Sequence, residues 1–373
     1  MPEISKRLMA KAGQNRIPLT GAFELLPTCN FSCEMCYVRK TREEVEKEGG
    51  LLPAKYWLDV AKEMAGEGLL FPLLTGGEPF LREDIKEIIC GMTDMGMQLS
   101  INTNGSLIDE KMAKWLGSNT PTRINLTLYG ASEESYAKVC GNGDGFRKVR
   151  NAIQYLKGNH VPLKFNCSIT PNNMHDIKSI VDFSKEVEVP LDMATYMTPP
   201  FRRGEEFVGK NNRMTADEAG YARAYADFLI SGKDIFEKSL MAYRHFEHVT
   251  DDMIKRQSAM PKKEMKCRAG RCSFWLDWKG NLGICGLYTP YSIPLELGKF
   301  KESWDKIVEY TNNLKVSSVC MNCPNNMLCH SCMSMIHNEC GNLDGRPEYL
   351  CDMTEATAKY YEEFWTKYYE QKN

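Results

Sequence analysis

Residues 22–37 read Ala-Phe-Glu-Leu-Leu-Pro-Thr-Cys-Asn-Phe-Ser-Cys-Glu-Met-Cys-Tyr. The apolar run Ala22 to Leu26 has the character of a strand, so Cys29, Cys33 and Cys36 fall on the loop that leaves it in a C-x3-C-x2-C spacing. A [4Fe–4S] cluster takes four thiolates, and three at this spacing leave one iron open to a small ligand. A zinc site or a trio of buried thiols is the alternative. Zinc sites, however, pair their cysteines as two short knuckles and close with a fourth ligand.

Working outward, apolar runs alternate with helix-like segments from residue 20 to about 200. Strands are expected at 22–26, 69–74, 97–103, 123–129, 162–169 and 190–197. Helices are expected between them at 54–66, 82–95, 108–117, 132–139 with 145–158, and 174–187. Successive βα units imply a parallel sheet covered by helices, with its site at the carboxyl ends of the strands. That rule gathers the loops Cys29 to Cys36, Gly76-Gly77-Glu78-Pro79, Asn102-Thr103-Asn104-Gly105 and Tyr129-Gly130 at one mouth.

The cysteine loop, followed by the aromatic Tyr37, and the Gly-Gly-Glu-Pro loop together resemble the radical S-adenosylmethionine (radical SAM) family. The resemblance implies an α/β fold, a partial (β/α)6 TIM-type barrel. It implies that Cys29, Cys33 and Cys36 hold the open cluster and that the backbone of Gly76, Gly77 and Glu78 holds the amino group of SAM. Tyr37, Asn104, Thr127 and Ser168 are further candidate SAM contacts, with Asn102 and Asn166 on adjacent strand ends. Each of these polar residues reads equally as a loop cap. Where relatives carry an arginine for the SAM carboxylate, this chain has Cys140-Gly141. Arg202 and Arg203, after the sixth strand, are candidates for a substrate or SAM carboxylate, or for a solvated turn.

Fifteen cysteines without an export signal argue for metal or redox use over disulfides. Downstream, Cys267 and Gly280 are separated by twelve residues, Cys285 follows after four more, and then come Cys320-x2-Cys323-x5-Cys329-x2-Cys332 and Cys351. This resembles the SPASM extension of radical SAM proteins, with x2 in place of x3 before Cys332. The resemblance implies one auxiliary [4Fe–4S] cluster on Cys267, Cys272, Cys285 and Cys332, and another on Cys320, Cys323, Cys329 and Cys351. Cys340 is an alternative to Cys351. With the first cluster this makes three. Taken alone, the two C-x2-C pairs fit zinc as well. Residues 275–282 read as a hairpin turning at Lys-Gly-Asn, which is expected to bring Cys272 and Cys285 near each other. Cys90 and Cys167 read as core thiols, and Cys140 as a packed loop residue or a thiol with a chemical role.

The expected organisation is an N-terminal segment 1–19, a barrel 20–204, bridging helices 205–260, a cysteine-rich SPASM domain 261–355 and a C-terminal helix 356–373 carrying an aromatic stripe. A net charge of −2 offers no footprint for nucleic acid or anionic membrane. No run is apolar enough to span a bilayer, and a cytoplasmic location is expected.

The resemblance implies an oxidoreductase that cleaves SAM to a 5′-deoxyadenosyl radical. The leading expectation is oxidative modification (crosslink, thioether or similar) of a ribosomally made peptide. The expected partners are the peptide or protein substrate and a flavodoxin or ferredoxin reductant; because the first twenty residues are too few for a leader-binding domain, leader recognition is expected from a separate leader-recognition protein or from the enzyme's own surface. The alternatives are anaerobic sulfatase maturation (formylglycine formation) and chemistry on a small molecule. Sulfatase-maturating relatives place an aspartate after the equivalent of Cys285, and here Gly286-Leu287-Tyr288 follows.

Overall fold

The computed structural model describes residues 3–199, 202, 213–264 and 267–370. The six expected strands form as β1 Thr20–Glu24, β2 Phe71–Thr75, β3 Ser100–Thr103, β4 Arg123–Leu128, β5 Leu163–Ser168 and β6 Leu191–Ala194. They lie side by side in chain order and pair in parallel. The register sets Glu24 beside Thr75, Thr103 beside Leu126 and Leu128 beside Cys167, so the strand ends finish together. The expected strands 97–103 and 190–197 were too long. β3 begins only at Ser100 and β6 ends at Ala194, although Gln98 N–H still donates to Leu70 O at 2.8 Å and Pro190 O accepts from the Phe165 N–H at 2.7 Å.

Helix α1 Glu3–Asn15 precedes the sheet. α2 Arg42–Lys47, α3 Ala54–Gly66, α4 Ile85–Asp94, α5 Glu110–Ser118, α6 Glu133–Cys140, α7 Gly145–Gly158 and α8 Ile177–Glu186 connect its strands. Their apolar residues recur with helical spacing: α3 buries Trp57, Val60, Ala61 and Met64, and α4 buries Ile85, Ile88, Ile89 and Met92. Trp57 is fully buried with its ring edge-on to Phe23 of β1 at 6.2 Å. Truncating such a ring to alanine costs about 3–5 kcal/mol. α5 and α6 start at caps, where Asp109 accepts from the Met112 N–H at 2.7 Å and Ser132 from the Ser135 N–H at 3.1 Å. Each cap stabilises its helix by about 1 kcal/mol.

Beyond the sheet come α9 Ala216–Ile230, α10 Lys233–Tyr243 and α11 Asp251–Ser258. These three helices fall within the span where bridging helices are expected. The cysteine-rich part contains β7 Lys263–Glu264, β8 Ser273–Leu276, β9 Asn281–Cys285, β10 Tyr288–Pro294, α12 Phe300–Asn313, β11 Lys315–Val316, α13 Ser318–Met321, α14 Asn326–Cys329, α15 Met333–Cys340 and α16 Glu348–Trp365. The boundary expected at 355/356 lies inside α16, and that at 204/205 falls outside the described residues. The aromatic stripe docks as its spacing implies: Tyr361 stacks on Phe236 at 4.5 Å, and Phe228 stacks on Tyr368 at 4.7 Å.

One feature positions the site and was not readable from the chain. The hairpin β8–β9, extended by β10, joins the barrel sheet by pairing β8 in parallel with β1, giving nine strands in the order β10-β9-β8-β1-β2-β3-β4-β5-β6. The join is close: a side chain on Gly21 of β1 would sit 2.1 Å from the ring of Phe274 on β8. The cysteine-rich part and the barrel thus share one sheet and one apolar core.

Candidate active site

The three cysteines of the first loop are held from two sides. Leu25 N–H donates to Thr75 O at 2.9 Å, Gly77 N–H to Leu26 O at 2.8 Å and Glu78 N–H to Thr28 O at 3.0 Å, so the loops after β1 and β2 run as a hydrogen-bonded pair. This contact explains both glycines. A Cβ on Gly76, whose φ is +142°, would lie 2.2 Å from Leu26 O, and one on Gly77 would lie 2.1 Å from Thr28 O. On the other side Phe31 is buried edge-on against Tyr129 at 5.7 Å, which ties the loop to the end of β4.

Glu78 fastens this assembly to the third strand. Its carboxylate is fully buried; Oε1 accepts from the Thr103 hydroxyl at 2.8 Å and the Phe80 N–H at 3.1 Å, and Oε2 accepts from the Asn104 N–H at 2.7 Å. Burial pushes its pKa up to about 7 against the pull of those donors. Asn104, held in this way, donates through Nδ2 to Asn30 Oδ1 at 2.9 Å and stands 3.7 Å from Cys29 Sγ.

The thiols answer to the same environment. Cys29 is pushed up to about 12, chiefly by burial, with Glu78, Cys33 and Cys36 adding to the rise. Cys29 Sγ accepts from the Phe31 N–H at 3.4 Å and Cys36 Sγ from the Arg39 N–H at 3.4 Å. Cys33 is raised well above the usual thiol range, first by a side-chain contact with Cys140 and then by burial. Cys140, left open by the sequence, is therefore a buried neighbour of Cys33, and its backbone carbonyl also accepts from the Ser32 N–H at 3.0 Å. Raised pKa values favour the protonated thiols at Cys29 and Cys33, and ligation of iron would release those protons.

Thr127 and Ser168 lie further round the sheet. Thr127 pairs in register with Asn166, and alternation sets Asn125, Thr127, Asn166 and Ser168 on one face. Asn125, which sequence reasoning missed, donates to Asn102 Oδ1 at 2.8 Å, while its own Oδ1 is buried without a partner. That orphaned acceptor fits a polar ligand on this face. No spacing rule could have found it, since its signal is burial.

Arg202 is the described member of the arginine pair; Arg203 lies outside the described residues. Arg202 donates to Glu24 Oε2 at 2.7 Å, and Trp275 Nε1–H donates to the same oxygen at 2.9 Å. The guanidinium sits 5.7 Å from the centroids of both Tyr37 and Trp275. Burial raises the Glu24 pKa, and Arg202 opposes that rise. These residues line an open cavity of about 330 Å³ whose other walls include Asp277, Cys285 and Tyr288. Barrel and hairpin residues thus face one space. Asp277 itself is used by the hairpin turn, accepting from the Lys279 and Asn281 N–H groups.

The downstream cysteines form two sets. Cys320, Cys323, Cys329 and Cys351 line a single cavity of about 110 Å³ with Arg346 at its wall. Cys320 is pushed up to about 12, mainly by burial and next by Cys351. Cys340 does not line this cavity; a side chain on Gly345 would meet its Sγ at 2.6 Å. In the other set, burial raises Cys332, with Cys285 and Cys267 contributing. Cys272 departs from the hairpin expectation. Alternation along β8 puts it on the face of Phe274, packed against Met9 and Ala12 of α1, whereas Cys285 lines the cavity that holds Arg202 and Trp275. Cys272 does neighbour Cys267, which adds to the rise that burial causes, while Arg268 and Arg271 oppose it. Cys167 is buried in the core as expected.

Among the described residues no three His, Cys, Asp or Glu side chains are gathered as around a single metal ion. The donor sets, three thiols on one loop and four around one cavity, fit iron–sulfur clusters, whose ligands are thiolates.

Residues 23–184 match the family model of the Radical SAM superfamily, and the chain carries a radical SAM domain. Among curated proteins it is 27% identical over 185 residues to AdoMet-dependent heme synthase of Methanosarcina barkeri, covering 50% of this chain and 52% of that protein. It is 33% identical over 167 residues to a probable GTP 3',8-cyclase of Metallosphaera sedula, covering 44% and 51%. The chain spans about half the length of the curated relatives it matches. Two solved structures share the fold more fully. Streptococcus suis SuiB bound to S-adenosylmethionine superposes with a TM-score of 0.65 at 16% identity, over 94% of this chain and 81% of that one. Native anSMEcpe with bound AdoMet gives 0.66 at 17% identity, over 95% and 100%. Among the described residues, no helix is long and apolar enough to cross a membrane.

Proposed function

We propose that this chain is a radical SAM oxidoreductase that oxidatively modifies a ribosomally made peptide. The observation that carries the reading is the shared cavity: Tyr37 next to the three-cysteine loop and Cys285 of the second set line the same space. Cys29, Cys33 and Cys36 would hold a [4Fe–4S] cluster, which with bound SAM supplies a 5′-deoxyadenosyl radical able to take a hydrogen atom from the substrate. Gly76 and Gly77 let the cysteine loop approach the Gly-Gly-Glu-Pro loop. Glu78 orients Asn104 toward Cys29, and the Asn125 acceptor offers a polar contact on the sheet face. Cys320, Cys323, Cys329 and Cys351, which line one cavity, would hold an auxiliary cluster able to take an electron from the oxidised substrate, whereas the second expected set, Cys267, Cys272, Cys285 and Cys332, is split between two cavities, with Cys272 and Cys285 on opposite faces of the sheet. Cys351 is preferred to Cys340 because it lines the four-cysteine cavity.

A peptide substrate is supported by the openness of the cavity to solvent, by its mixed charged and aromatic lining, and by the fold shared with SuiB, one of whose structures is bound to precursor peptide SuiA. Sulfatase maturation is the weaker reading. A side chain at position 286 would meet the ring of Trp275 at 2.7 Å, so the aspartate of those enzymes has no room here. A small-molecule substrate is the second reading, favoured by the names of the curated relatives and by a volume within the usual ligand range.

The test is anaerobic incubation of the reduced, iron-loaded chain with SAM and peptides encoded beside its gene. We expect a peptide lighter by about two hydrogens with one 5′-deoxyadenosine per event, and no SAM cleavage by Cys33→Ala. SAM cleavage with every peptide unchanged would overturn the peptide reading in favour of the small-molecule one.

A further inference from the structure

The stretch from Gly345 to Cys351 runs along the four-cysteine cavity. Cys320 Sγ donates to Gly345 O at 3.9 Å, Cys329 Sγ donates to Leu350 O at 3.9 Å, and Cys351 ends the stretch as a lining residue. Pro347 stands at the N-cap of α16, and the Cys351 N–H donates to Pro347 O at 3.2 Å, so this thiol is fixed to the first turn of the helix. Arg346 lies between those anchor points, half-buried, and lines the cavity together with all four thiols.

Among the described residues, Arg346 is the one arginine or lysine on that wall. The other charged or titratable groups there, apart from the cysteines, are His248, Asp352 and Glu355, and His248 Nδ1 lies 3.3 Å from Glu355 Oε1. Asp352 and Glu355 are exposed, so water screens them more than it screens the arginine. Burial raises the Cys351 thiol, and the Arg346 guanidinium beside it opposes that rise. An iron–sulfur group on four thiolates is already negative, and reduction adds one more negative charge. A fixed cation partly shielded from water therefore stabilises the reduced form more than the oxidised one, and N–H groups aimed at a ligating sulfur act in the same direction.

We infer that Arg346, acting through the sulfur of Cys351, is the positioning residue that sets a higher reduction potential for the iron–sulfur site on Cys320, Cys323, Cys329 and Cys351. The inference rests on the auxiliary-cluster reading above. A higher potential suits an electron acceptor: the substrate radical gives up one electron on oxidation, and the site gains it. Loss of the guanidinium makes the site a weaker oxidant and removes driving force from that transfer.

The experiment is a redox titration of the iron-loaded full-length chain, followed by electron paramagnetic resonance, in a background of Cys29→Ala, Cys33→Ala and Cys36→Ala that silences the first cluster. The step that a further Cys351→Ala removes belongs to this cavity. Arg346→Met is expected to lower the equilibrium constant of that reduction by about tenfold or more, a drop of about 59 mV for one electron, with the iron content unchanged. Arg346→Lys, which keeps the charge and loses the planar fork, should show the smaller fall. If Arg346→Met does not hold iron, Arg346→Gln, which drops the charge and keeps an N–H donor, must show the fall in its place. An unchanged midpoint in the variant that holds iron would overturn the inference. So would a fall in Arg346→Lys as large as in Arg346→Met, or loss of iron from both uncharged variants, which makes Arg346 a structural wall of the cavity. The cluster reading fails separately, if Cys351→Ala removes neither iron nor any step of the titration.

Discussion

Replacing Glu78 by glutamine tests the buried fastening of the candidate SAM site in two ways at once. The side chain faces N–H donors on both oxygens, Phe80 on Oε1 and Asn104 on Oε2, with the Thr103 hydroxyl as a third donor. A glutamine has one oxygen, so its NH2 must oppose one of the two backbone N–H groups. A buried donor left unpaired costs about 1–3 kcal/mol at any pH. The second effect depends on pH and has the opposite sign. Burial raises the Glu78 pKa from 4.5 to about 7, so the folded state holds this proton more tightly than the unfolded one. Stability from this group is fully present below pH 4.5 and is lost as pH rises through 7. The rise of about 2.5 units corresponds to about 3 kcal/mol lost by the wild type at alkaline pH, and glutamine, which does not titrate, escapes that loss. Glu78→Gln should therefore be less stable than wild type by about 1–3 kcal/mol near pH 5 and equal to it or better near pH 8. Urea unfolding of the iron-free, reduced chain at the two pH values, followed by tryptophan fluorescence, measures both. An unchanged difference between the two pH values would refute the buried titration. No loss at the lower pH would refute the three-donor argument.

Two further outcomes follow from the cavities. Arg202→Met removes the partner of a Glu24 carboxylate that is 1% exposed, and should destabilise the fold by about 3 kcal/mol in chemical denaturation, while Glu24→Gln combined with Arg202→Met recovers most of the loss. Equal stability of the single and double variants would show that the pair is not coupled. Cys351→Ala should lower the bound iron by about four per chain while Cys340→Ala leaves it unchanged, because only Cys351 lines the four-cysteine cavity. The reverse pattern in iron analysis would reassign the ligand.

Periodicity alone placed the six strands and most of the helices of the first half, since each strand and each amphipathic face is written locally in residues two, three or four apart. The chain by itself also identified the two cysteine patterns and the Gly-Gly-Glu-Pro loop, because ligands on one loop must be near each other whatever the fold does. What it could not contain were relations between segments far apart. The pairing of β8 with β1, which makes the hairpin part of the barrel sheet, depends on which edge is open once β1 to β6 have formed. The opposite facing of Cys272 and Cys285 follows from strand alternation within that sheet, and spacing had suggested only that they approach. The contact of Cys140 with Cys33, the burial of Glu24 against Arg202 and Trp275, and the orphaned oxygen of Asn125 are likewise products of packing. Burial and tertiary contact set the chemistry of these groups, and both come into being only when residues from distant parts of the chain exclude water together.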